Sequence, residues 1–154
     1  MKSLIAAFAI STALTTPAFA KTVTLTTNMA QYGGRGAYIA LYLTDAKGGF
    51  AGTVWMAGGK TRYYRHLTDW SRLTGGGNVD VSAVTGASVG SGQNATLSVD
   101  MADALFDAGY TLHMDASAEE MRDSPNEIEV PLTTAGNGKT SLEKNYVFDF
   151  TYKF

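Results

Sequence analysis

From Thr22 onward, apolar residues recur at every second position in short runs, and each run stops at a cluster of glycine, asparagine or aspartate. A two-residue period is the spacing of a strand that buries one face, and the stops are turn chemistry. Residues Thr22 to Thr27 alternate in this way and read as a first strand. After Gly33-Gly34-Arg35-Gly36, the aromatic and β-branched run from Ala37 to Thr44 reads as a second. It turns at Asp45-Ala46-Lys47-Gly48-Gly49 into a returning strand, Phe50 to Ala57. Ala95 to Asp100 and Gly109 to Ala116 read as strands, separated by one helical turn within Met101 to Phe106. Glu127 to Leu132 reads as another, placed at a sheet edge by Pro131. The last strand is expected to turn Tyr146, Phe148, Phe150 and Tyr152 to one face and Val147, Asp149, Thr151 and Lys153 to the other.

One stretch changes period. Tyr63, His66, Leu67, Trp70 and Leu73 recur at spacings of three and four, which predicts a short helix with those residues on its buried face. Gly75-Gly76-Gly77 ends it. Residues 78–95 are rich in Gly, Ser, Asn and Ala and are expected to be a loop with little capacity to form core. About seven short strands with one long inserted segment predict an all-β fold, an antiparallel immunoglobulin-like β-sandwich with a short helix and a long Gly/Ser-rich loop. The alternating aromatics before Phe154 also resemble the closing strand of an outer-membrane barrel. Eight spanning strands of about 9 to 11 residues each would consume nearly the whole chain, and too few segments alternate for that length.

Lys2, the apolar run Leu4 to Ile10 and the closing Ala18-Phe19-Ala20 have the form of a cleaved secretory signal. Polar residues and Pro17 interrupt the run too early for a membrane anchor. The expected organisation is a signal peptide over 1–20 and a single β-sandwich domain over 21–154, delivered to the periplasm. A net charge of −2 provides no basic field, so neither nucleic acid nor an anionic membrane surface is an expected partner. With no cysteine, the exported domain has neither disulfides nor thiol chemistry. The two histidines, His66 and His113, lack companions at zinc-like spacing. No Gly-x-Ser-x-Gly elbow marks a hydrolase. The acidic cluster Glu119, Glu120 and Asp123 reads as a solvated loop.

The most specific motif lies in the long loop. Ser82-Ala83-Val84-Thr85-Gly86-Ala87-Ser88 resembles the target sequence of flavin transferases, loosely Asp-x-x-Ser/Thr-Gly-Ala-Ser/Thr, in which the last hydroxyl is esterified to the phosphate of FMN. Carried over, Ser88 is the acceptor, Thr85, Gly86 and Ala87 are the recognition core, and Ser82 stands where the pattern has Asp. Small residues suit such a target, because a transferase pocket must admit the backbone closely. The order of an aromatic strand with an Asp-x-x-Gly turn, a strand carrying Trp55, the Lys60 to Leu67 segment, Trp70-Ser71-Arg72, this loop and Ala108-Gly109-Tyr110-Thr111-Leu112 resembles the predicted periplasmic family DUF2271.

That resemblance implies a flavinylated electron carrier whose partners are an FAD:protein FMN transferase and a membrane PepSY-type reductase. Trp55, Tyr63, Tyr64 and Trp70 are candidates to stack on the flavin ring. Arg62, Arg65 and Arg72 are candidates to hold its phosphate. The competing expectation is an envelope protein-binding or structural module without a cofactor, in which the long loop is only a connection.

Overall fold

The computed structural model describes residues 19–142 and 144–154. Most of the expected signal peptide therefore lies outside the described residues. Among the described residues nine strands run β1 (Ala20–Met29), β2 (Tyr38–Thr44), β3 (Phe50–Ala57), β4 (Thr85–Gly86), β5 (Asn94–Ala102), β6 (Thr111–Ser117), β7 (Ser124–Pro131), β8 (Thr140–Leu142) and β9 (Val147–Lys153). They make one sheet of four in the order β5-β1-β9-β8 and one of five in the order β4-β3-β2-β6-β7. All pairs are antiparallel except the short β3–β4 pair. The all-β sandwich expected from the alternation is the fold that forms.

The core between the sheets is built from alternate residues: Val23 and Leu25 of β1, Ile39, Leu41 and Leu43 of β2, Leu112 and Met114 of β6, and Phe150 and Tyr152 of β9. β2 is buried on its other face as well. There Ala40 and Tyr42 join Met56, Tyr64, Leu67 and Trp70 in a second apolar cluster beneath the helical segment. A continuous apolar run such as Tyr38 to Leu43 suits a central strand covered on both sides.

Two expectations need correcting. The segment 61–73 is two elements rather than one helix. A 3-10 turn over Thr61–His66 meets helix α1 (Thr68–Leu73) at Leu67, whose φ of −86° and ψ of 74° are non-helical. With the break at Leu67 between the two elements, Tyr64, Leu67 and Trp70 are the buried residues while Tyr63 and His66 stay partly open.

In the last strand, the register against β1 slips between Asn28 and Met29, whose partners are Asp149 and Val147. Phe148 is the extra residue of that bulge and is 54% exposed, whereas Val147 is buried. One inserted residue inverts a two-residue pattern, which is why the expected aromatic face breaks there. The edge assigned to the proline-bearing strand is observed, since β7 closes the five-stranded sheet.

Candidate functional site

The long loop leaves the helical segment at Gly75 and returns to the sheet through β4. Met56 pairs with Thr85 and Ala57 with Gly86, and the Gly58 N–H donates to the Gly86 carbonyl at 2.9 Å. Gly58 has φ of +97°, and a Cβ there would fall 2.3 Å from the Tyr38 ring, so both the turn and the tyrosine require glycine. Beyond β4, Ala37 and Val89 exchange backbone hydrogen bonds of 2.7 and 3.1 Å. Thr85 to Val89 is therefore pinned at both ends.

The three hydroxyls of the motif have different fates. Thr85 Oγ1 donates to the Val81 carbonyl at 2.7 Å. Ser82 Oγ donates to Asp80 at 2.7 Å, and the Ser82 N–H donates to the same oxygen at 3.0 Å. These two bonds hold the Asp80 carboxyl below its ordinary titration range. Ser88 is exposed, and among the described residues no hydrogen-bond partner engages its hydroxyl. A Cβ on Gly36 would lie 2.5 Å from Ser88 Oγ. The space for that hydroxyl exists because residue 36 has no side chain.

Ser88 opens onto a cavity of about 330 Å³ that Arg35, Tyr38, Lys60, Tyr63 and His66 also line, a volume within the range of small-molecule sites. The Tyr38 and Tyr63 rings meet at 5.2 Å, tilted by 58°. Across from them runs the segment between β6 and β7. Glu119 pairs with Arg35 at 3.2 Å and accepts a hydrogen bond from Tyr63 Oη at 3.4 Å. Both oxygens of Asp123 lie 3.2 Å from His66 Nδ1, and Ser117 Oγ donates to Asp123 at 2.7 Å. The acidic cluster forms the expected exposed loop at Glu119 and Glu120, and those two residues also line the cavity. Gly86, Ala87 and Ser82 do not line it; Ser82 and Thr85 face a second, shallower cavity with Asp80, Gly76 and Gly77.

Several candidates lie elsewhere. Trp55 is 8% exposed, Tyr64 6% and Trp70 fully buried, so all three are core residues. Among the proposed ring partners only Tyr63 reaches the cavity. Arg62 folds over its neighbour Tyr63, 4.8 Å from the ring centre. Arg72 pairs with Asp69 at 3.5 Å, and Arg65 donates to His66 at 3.4 Å. The cations at the cavity are Arg35 and Lys60. Sequence reasoning missed them, with Tyr38, and no local pattern marked them, since the cavity forms only when their segments are brought together by the sheet. His113 is held by Thr44 at 2.8 Å and Asn126 at 2.9 Å. Among the described residues no group of His, Asp and Glu is arranged to hold a metal.

Fold and site together define a small two-sheet β-sandwich that presents the uncommitted hydroxyl of its motif loop at a tyrosine-walled cavity lined by charges of both signs. The chain belongs to the DUF2271 family, described as predicted periplasmic proteins, whose family model matches residues 20–147. No curated protein and no solved structure matches it. Among the described residues no helix is long and apolar enough to cross a membrane.

Proposed function

We propose that this protein is a periplasmic electron carrier with FMN esterified to Ser88, loaded by an FAD:protein FMN transferase and serving a membrane PepSY-type reductase. The observation that carries the reading is that the one uncommitted hydroxyl of the motif loop opens onto the cavity lined by Arg35, Lys60, Tyr38 and Tyr63. In the loading step a bond forms between Ser88 Oγ and the flavin-side phosphorus. The phosphoanhydride of FAD breaks, AMP leaves, and the hydroxyl proton passes to solvent. Once bound, FMN supplies a reversible couple of one or two electrons.

The chain's own part is binding and orientation. Arg35 and Lys60 offer positive charge to a phosphate at Ser88, while Tyr38 and Tyr63 offer flat apolar surface to a planar ring. Thr85 and Gly86, held to β3, fix the frame in which a transferase meets the acceptor. Ser82, hydrogen-bonded to Asp80, leaves that acidic residue on the loop two positions before the place where the target pattern has Asp.

The test is co-expression with such a transferase. The purified chain should absorb in the flavin bands and gain the mass of FMN less one water, and Ser88→Ala should remove both signals. A wild-type chain of unmodified mass, under conditions in which the same transferase labels another target, would sink the reading.

A further inference from the structure

Four strands end the two sheets, and three of them are blunted against further pairing. β4 has two residues and β8 three. β7 contains Pro125 and Pro131, and its register against β6 slips between Met114 and Ala116. Short length, proline and irregular register are the usual protections of a sheet edge.

β5 has none of these. It pairs with β1 through nine consecutive positions, Asn94 to Ala102, without a slip, and contains neither proline nor a basic residue. Its outer edge meets no other strand among the described residues. On the inward side Ala95, Leu97 and Val99 pack against the core yet remain partly open, as apolar residues do where a sheet lacks its next strand.

We infer that β5 is the docking edge for a second copy of this chain, β5 against β5, antiparallel about Ser98, so that two four-stranded sheets become one. This inference is independent of the flavin reading. Centred on Ser98, all nine residues find a counterpart. Leu97 faces the partner's Val99, Ala95 faces the partner's Met101, and the exposed Thr96 faces the partner's Asp100. Asp100 is the only charged residue of the strand, so no like charges oppose one another, and a two-fold axis closes the assembly at two copies. Thr22 Oγ1 donates to Oδ1 of Asp100 at 2.9 Å, which leaves Oδ2 to accept from the partner's Thr96. The net charge of −2 sets little repulsion between copies.

Sedimentation velocity over a range of concentrations, on the chain purified from the periplasm, tests this with two substitutions at one exposed position. Wild type should show a reversible monomer–dimer equilibrium. Thr96→Asp opposes like charges twice per dimer and should weaken the dimer roughly tenfold, whereas Thr96→Lys creates two opposite-charge pairs and should tighten it by a similar factor. High salt should reduce both differences. Far-ultraviolet circular dichroism verifies that each variant is folded. A wild type that stays monomeric at the highest concentration reached, or a dimer that both substitutions leave unchanged or move in the same direction, overturns the inference. Binding of an unrelated extended peptide to a monomeric chain would also overturn it.

Discussion

The two faces of the five-stranded sheet are held by different means. The inner face meets the four-stranded sheet across a continuous apolar layer to which β1, β2, β3, β6, β7 and β9 all contribute. The outer face is covered by a short helical segment, through Tyr64, Leu67 and Trp70, by the long loop, through Val81, and by one carboxylate. Asp115 is fully buried and accepts from the Trp70 N–H at 2.7 Å, the Asn126 N–H at 2.9 Å and Tyr42 Oη at 3.3 Å. Among the described residues no cation pairs with it, and burial raises its carboxyl above the ordinary range despite the two backbone donors. The inner layer is redundant, whereas the outer layer, which delivers Tyr63 and His66 to the cavity, hangs on few contacts. The site can therefore loosen without unfolding the sandwich.

The sharpest way to break this contrast is to cut each face and compare. Phe150→Ala, in the inner layer, should cost about 4 kcal/mol, read as a shifted urea midpoint in a single transition. Asp115→Asn turns an amide N–H₂ toward one of the two backbone donors and should cost about 2 kcal/mol. Its amide exchange should quicken over residues 61–74 well before β1 and β9. Equal acceleration everywhere would mean that both faces form one cooperative unit.

A smaller effect sharpens the electrostatic half of the contrast. The folded chain keeps its Asp115 proton above pH 3.8, where an unfolded aspartate loses it. The native state therefore binds more protons in the window just above that value, and this group's contribution to stability falls as pH rises through it. In Asp115→Asn that decline should flatten, as a pH series of unfolding curves would show. The smallest effect is expected from Tyr63→Phe, which loses two exposed hydrogen bonds, one donated to Glu119 and one accepted from Arg62, and should change stability by less than about 0.5 kcal/mol. A larger loss would assign Tyr63 to the fold rather than to the cavity.

The strands were legible because half-buried sheets impose a period of two on consecutive residues, as in Val23, Leu25 and Thr27 of β1. The errors fell where one residue changes the phase. Phe148 is such a place, and so is Leu67, where three residues per turn give way to an α-helical turn. The motif loop was legible as a local string. Its cavity was not, because Arg35, Lys60, Ser88 and Glu119 come from four separated segments that only the pairing of strands brings together. Glu127 went unread for the same reason. It is 1% exposed and accepts from the backbone N–H groups of Asn145, Tyr146 and Val147 at 2.7, 2.6 and 2.9 Å. It thereby staples β7 to the start of β9, a contact between sheets that strand alternation alone does not encode.

The two-residue strand β4 sets how far the loop hydroxyl can travel. Thr85 and Gly86 are bonded to β3, and Val89 is bonded to Ala37, so only Ala87 and Ser88 span the gap between two fixed points. A group joined to Ser88 is thus moored to the sheet on a very short line, unlike the swinging arm of a carrier that ferries its cargo between stations. If that group carries electrons, as proposed, commerce with a donor and an acceptor requires each of them to visit the same berth, and the rate of exchange would be set by how quickly one leaves and the other arrives.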